Sequence, residues 1–215
     1  MNRISFQVND RKISAPEGMS LLRACLNADI YIPHLCYMEG MTEPPASCRL
    51  CFVEIEGRRE PVPACTVPVA PGLRVRTDTP AVRRLQRTAL RLLLSVHHVD
   101  CKNCIANKRC ELQRTAKFLG IGLKPKHLDH YRKEPEVDDT HPHLIYRPNR
   151  CVLCGRCIHI CDSRHGRAYI AMARRGFDTV LTFYGSTHAF DLPAPDCTAC
   201  IDVCPVGALE SKHGE

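Results

Sequence analysis

The stretch CVLCGRCIHIC, residues 151–161, decides how this chain is read. Its spacing is Cys151-x2-Cys154-x2-Cys157-x3-Cys161. Three cysteines separated by two residues reach three corners of one [4Fe–4S] cube, and the last corner needs a distant residue. Cys204, followed by Pro205-Val206-Gly207, supplies it. The proline turns the chain and removes a backbone donor. Cys151, Cys154, Cys157 and Cys204 are therefore read as the ligands of one [4Fe–4S] cluster.

The run is the one found in bacterial ferredoxins, where the fourth cysteine serves a second cluster. CVLCGRCIHIC is echoed imperfectly by CTACIDVC, residues 197–204, which leaves Cys161, Cys197 and Cys200. A complete second set needs one more cysteine, and the expected position holds Ala194. The group is either a relic or a candidate fourth site, binding a [3Fe–4S], or a [4Fe–4S] completed by Asp191, Asp196, water or a partner's residue.

Upstream, HHVDCKNCIANKRCELQ at residues 97–113 spaces His97, Cys101, Cys104 and Cys110 as His-x3-Cys-x2-Cys-x5-Cys. Three thiolates and one imidazole complete a [4Fe–4S] cube. Exchanging a thiolate for neutral imidazole removes a negative charge and raises the potential, as in Rieske centres. His98 competes with His97 on chemical grounds. Nearer the N-terminus, Cys48-x2-Cys51 is flanked by Cys36 and Cys65. A tight pair with two outlying cysteines is a [2Fe–2S] arrangement, although the first gap is longer than the plant-type one. A structural four-cysteine zinc site is the alternative at this last set, and a partial zinc site of three cysteines, with both histidines on the surface, is the alternative at residues 97–110.

Composition agrees with metal binding. Fifteen cysteines in 215 residues is an odd number, which argues against a closed disulfide set. The N-terminus, MNRISFQVNDRKISA, has no long apolar run or cleavage site, so a reducing cytoplasm is the expected compartment. The formal charge of +7 would point to nucleic acid. It counts every cysteine as neutral, and three thiolate-ligated clusters add roughly −5. The chain also has no G-x-G-x-x-G and no phosphate loop, so no nucleotide or flavin site is visible. Cys25 sits beside Leu21, Leu22 and Leu26 and reads as a small buried hydrophobe.

The fold class expected is α+β in three modules. Ile4, Phe6 and Val8 alternate as in a half-buried strand, with a turn at Asn9-Asp10 and a return strand from Lys12. Ser20 caps a helix through Leu26; Phe52–Ile55 and Leu73–Arg76 read as strands. Thr79-Pro80 opens a second helix, with Val82, Leu85, Ala89, Leu92 and Leu93 as its apolar stripe. Arg83, Arg84, Arg87 and Arg91 read as its solvated face, with docking of a partner as the alternative. The expected boundaries are 1–79 for the first domain, 80–123 for the helix and His/Cys3 module, 124–148 for a connecting segment, and 149–215 for the ferredoxin-like domain.

YIPHLCY, ASCRLCFVEI and PACTVPV resemble the start of the large iron–sulfur subunit of respiratory complex I, and HxxDC and ELQ extend the likeness. The small diaphorase subunit of soluble NAD-reducing nickel–iron hydrogenases is similar. The resemblance implies a β-grasp [2Fe–2S] domain and selects His97 over His98 as a ligand. It also implies an electron-transfer subunit without an active site of its own, between a flavin-bearing NADH-oxidising subunit and a hydrogenase or dehydrogenase. The chain ends soon after CPVGALESKHGE, a length that looks like the diaphorase subunit. An iron–sulfur subunit of an NAD-dependent formate dehydrogenase or of a complex I-like assembly is the alternative. A structural multi-zinc interaction protein is the alternative of another class.

Overall fold

The computed structural model describes residues 2–167, 169–183 and 194–213, the side chains of 194–197 excepted. Strand β1 (Arg3–Val8) turns at Asn9-Asp10 into β2 (Arg11–Pro16), pairing Phe6 with Ile13 and Ile4 with Ala15. The alternation sends Ile4, Phe6 and Val8 to one buried face. Helix α1 (Leu21–Asn27) starts where the Ser20 hydroxyl accepts from the Arg23 N–H. Strands β3 (Phe52–Ile55), β4 (Val62–Pro63) and β5 (Arg74–Arg76) complete a mixed sheet of order β2-β1-β5-β3-β4, with β1 and β5 parallel. Their apolar faces and α1 bury one core, which includes Cys25, Cys51 and Cys65.

Helix α2 (Pro80–Ser95) is capped by Thr79, whose hydroxyl accepts from the Val82 N–H and donates to the Glu54 carboxylate of β3. Its buried face is not the expected stripe. Val82, Gln86, Ala89, Leu90 and Leu94 turn inward, whereas Leu92 is 62% exposed. The leucine-rich end LRLLLS offers two faces, and Gln86 fixes which one is inside: its amide donates to the Phe52 carbonyl while its oxygen accepts from Arg83. The arginine face is largely exposed as expected, and two of its members also make contacts within the chain. Arg83 stacks over Phe118, and Arg87 donates to the Leu119 carbonyl. Both contacts hold α3 (Glu111–Leu119), which Gly120 ends in the left-handed conformation.

A second, larger core gathers α2, α3 and the C-terminal part, together with Cys36 and Cys48. There β6 (Leu144–Tyr146) pairs with β9 (Leu209–Ser211), and β7 (Ile170–Ala173) pairs with β8 (Val180–Phe183). Helices α4 (Arg156–His165) and α5 (Ala194–Asp202) pack together. The connection before β6 lies on this core. The Asn149 side chain bonds Lys133 through both its amide atoms, and Lys133 donates on to the Thr179 carbonyl.

Candidate iron–sulfur centres

Cys36, Cys48 and Cys51 of the first sulfur set lie on the irregular loop between α1 and β3, and Cys65 lies in the turn after β4. Arg49, inside Cys48-x2-Cys51, has a φ of 52°, and Ala46 has the same. Strained left-handed residues of this kind collect at functional loops. The four buried sulfurs form two pairs. Cys36 and Cys48 approach to 3.4 Å, and Cys51 hydrogen-bonds Cys65. Hydrogen bonding from Cys48, then from backbone N–H groups of Ser47 and Cys48, holds the Cys36 thiol low; the bond from Cys51 does the same for Cys65. Cys48 and Cys51 are pushed up. Two sulfur pairs suit the two irons of a [2Fe–2S] rhomb. The pair Cys36/Cys48 belongs to the larger core and Cys51/Cys65 to the N-terminal one, so the set sits on their junction.

The second set forms where α2 ends. His97, Cys101, Cys104 and Cys110 all line one small pocket. Cys110 occupies the cap position of α3, and the Gln113 side chain bonds the 107–108 backbone and side chain to hold the intervening loop. His97 is buried and His98 exposed. Nδ1 of His97 bonds the Arg150 carbonyl at 3.0 Å. Burial holds the imidazole down at about 4, so it is neutral at neutral pH.

The third set lines another small pocket, with Cys151, Cys154, Cys157 and Cys204 in its wall. Leu153, inside Cys151-x2-Cys154, has a φ of 51° and directs its N–H at the Cys151 sulfur, 3.4 Å away. The Ala208 N–H donates to Cys204 at 3.3 Å. Burial raises Cys154 to about 12 and pushes Cys151 and Cys157 up as well. Thiols this costly to ionise need a cation to hold them as thiolates. Sequence reasoning missed Tyr146. Its buried hydroxyl accepts from the Leu181 N–H at 3.1 Å and donates to the Cys151 sulfur.

Of the remaining cysteines, Cys161 is half-buried and accepts from the Tyr169 N–H at 3.2 Å, while buried Cys200 interacts with Cys157. The Cys197, Asp191 and Asp196 side chains lie outside the described residues. Cys25 is fully buried, and burial pushes its thiol up to about 12, which makes it inert packing.

The sets touch one another. The Ser47 hydroxyl donates to the Leu153 carbonyl, joining the first set to the third. Val206 lines both pockets, and its carbonyl lies 3.7 Å from the Cys104 sulfur. The Glu111 N–H donates to the Pro205 carbonyl at 2.9 Å. Among the described residues, no three His, Cys, Asp or Glu side chains converge on a point that would hold a lone metal ion. The sulfur donors and the N–H groups aimed at sulfur suit thiolate-ligated clusters.

Sulfur sets of this kind, gathered around two cores of one small chain, define a multi-cluster iron–sulfur protein. Family comparison agrees along the length. Residues 1–80 match a 2Fe-2S iron–sulfur cluster binding domain, 86–124 the NADH-ubiquinone oxidoreductase-G iron–sulfur binding region, and 142–210 the ferredoxin-like domain of NADH-quinone oxidoreductase subunit 3. The chain is 35% identical to the NADP-reducing hydrogenase subunit HndD of Solidesulfovibrio fructosivorans, over 97% of its own length and 36% of that protein. It is 36% identical to a G-type subunit of the NADH-quinone oxidoreductase of Rhizobium meliloti, over 97% and 24%. It thus spans between a quarter and about a third of these curated relatives. A chain in the crystal structure of an NAD+-reducing [NiFe]-hydrogenase in its H2-reduced state superimposes with a TM-score of 0.84 at 32% identity, over 97% of this chain and 87% of that one. The chain belongs to the family of that NAD+-reducing [NiFe]-hydrogenase chain and carries iron–sulfur domains of the NADH-quinone oxidoreductase G type.

Proposed function

We propose that the chain is the electron-transfer subunit of an NAD-linked, hydrogen-oxidising complex, carrying single electrons between a flavin-bearing NAD(H) module and a hydrogenase module. The observation that carries this reading is the near end-to-end likeness to a chain of the NAD+-reducing [NiFe]-hydrogenase. We assign Cys36, Cys48, Cys51 and Cys65 to a [2Fe–2S] cluster. His97, Cys101, Cys104 and Cys110 hold one [4Fe–4S], and Cys151, Cys154, Cys157 and Cys204 another. Bound clusters supply the one-electron chemistry; the polypeptide supplies ligands, N–H donors to sulfur and a dry setting that tunes potential. Electrons enter and leave through partner subunits in a cytoplasmic hetero-oligomer.

The contacts between sets suggest the path. The C-terminal set meets the N-terminal one through Ser47 and Leu153, and the His/Cys3 set through Val206. The order in space is therefore N-terminal, C-terminal, His/Cys3, which differs from the order in sequence. Likeness to the G-type chain of NADH-quinone oxidoreductase favours a complex I-like assembly as the second reading. A multi-zinc scaffold has no support from the families matched.

Anaerobic purification of the chain with its bound partners tests the proposal. The expected product is brown, contains a flavoprotein and carries about ten irons per chain for one [2Fe–2S] and two [4Fe–4S] clusters. NADH or hydrogen bleaches it. Stoichiometric zinc, or a complex lacking any NAD(H)-oxidising flavoprotein, would overturn it.

A further inference from the structure

One largely buried ion pair joins the helices that follow the second and third sulfur sets and belongs to none of the sets. Arg156 opens α4 immediately before Cys157, and Glu111 opens α3 immediately after Cys110. The guanidinium and carboxylate meet in a two-pronged bond, Nη1 to Oε1 at 2.7 Å and Nη2 to Oε2 at 2.8 Å. The Arg156 side chain is 8% exposed, and its Nε is buried with no hydrogen-bond partner. After Glu111, the charges that act most on the guanidinium are those of Cys154 in the third set and Cys36 in the first.

Stability alone does not account for this arrangement. A buried ion pair gains little over well-packed apolar side chains, because desolvation offsets the attraction. The orphan Nε–H adds a further unfavourable term. A cluster, by contrast, gains an electron on each reduction. A fixed cation in a poorly screened interior stabilises that reduced form, and a fixed anion opposes it. Arginine stays charged at any working pH, so its influence is constant. Glu111 fixes the guanidinium through the two-pronged bond, and its own negative charge follows Cys110 at the start of α3.

We propose that Arg156, aimed by Glu111, is a positioning residue for electron transfer that raises the potentials of the N-terminal and C-terminal clusters relative to the His/Cys3 cluster. The proposal rests on the assignment of the three sulfur sets as cluster sites. The oriented pair builds a step between the C-terminal and His/Cys3 clusters, and the Nε–H is the donor left for cluster sulfur.

The test is an EPR-monitored redox titration of the full chain, purified anaerobically, with iron and sulfide counted for each variant. R156Q is expected to keep its iron and to shift the [2Fe–2S] and C-terminal [4Fe–4S] midpoints downward. R156K keeps the charge and is expected to recover at least half of that shift. E111Q leaves the cation uncompensated and is expected to raise the midpoints, most of all at the His/Cys3 cluster. Full iron with unmoved midpoints in R156Q overturns the proposal, as does R156K shifted as far as R156Q. If R156Q cannot hold its clusters, an unmoved E111Q overturns it. Wild-type chain without iron sinks the cluster assignment itself, a result distinct from loaded clusters that ignore the charge.

Discussion

Nδ1 of His97 lies 3.0 Å from the carbonyl oxygen of Arg150, the residue before Cys151. A carbonyl only accepts, so Nδ1 carries the proton and Nε2 keeps its lone pair for a metal. One bond thus sets the tautomer of a proposed ligand in one site and ties it to the backbone that starts the next. The expected effect of His97→Cys is a retained cluster with a potential lower by on the order of 100 mV, because a thiolate adds a negative charge. His97→Ala should lose the cluster, and His98→Ala should change nothing. EPR titration of the three variants checks this. Loss of the His/Cys3 signal in His98→Ala alone would exchange the two roles.

The same burial gives a pH dependence in the metal-free chain. His97 takes up a proton at about 4 when folded, against 6.5 when free. Between these values the unfolded chain binds more protons, so stability rises with pH. The contribution is complete above about 6.5 and is lost as pH falls toward 4, amounting in full to about 3 kcal/mol. Denaturant midpoints at pH 7 and pH 4.5 measure it. His97→Gln should flatten the difference; an unchanged difference would mean that other groups carry it.

Tyr146 offers a quieter control on the C-terminal cluster. Its hydroxyl donates to the Cys151 sulfur and accepts from the Leu181 N–H. Tyr146→Phe removes a bond worth about 1 kcal/mol to the reduced cluster, a fall on the order of 20–60 mV. The orphaned Leu181 N–H should also lower the unfolding midpoint. A potential that stays in place while stability falls would make Tyr146 structural only.

Much of this was legible in local spacing. A Cys-x2-Cys loop places two sulfurs together whatever the rest of the chain does, which is why Cys101 and Cys104, or Cys151, Cys154 and Cys157, are visible without coordinates. The strands β1 and β2, and the caps at Ser20 and Thr79, are equally local. The inward face of α2 was not, because buried Gln86 outranks exposed Leu92 only through its bond to the Phe52 carbonyl, 34 positions away. Tyr146 and the Arg156–Glu111 pair escaped for the same reason. Their partners are set by the packing of distant segments, and a lone tyrosine or a charge in a charged chain carries no periodic signal. The meeting of the three sets at Ser47 and Val206 is likewise a tertiary fact.

Gly207 provides the most direct test of that meeting. It follows Val206, which lines the pockets of both sets, and has a φ of 66°. A β-carbon there would lie 2.9 Å from the Ala106 Cβ and 3.2 Å from the Ala106 backbone nitrogen, on the loop that carries Cys104 and Cys110. The left-handed backbone disfavours any side chain, and the backbone nitrogen cannot retreat without moving the loop. Gly207→Ala should therefore cost about 2–4 kcal/mol. The damage should fall on the His/Cys3 site across the contact as well as on the C-terminal one, while the [2Fe–2S] signal remains. Iron content and EPR of the variant measure it. Selective loss of the C-terminal cluster alone would show that the two sites are mechanically independent, and that the close packing of residues 104–106 against 206–207 does not couple them.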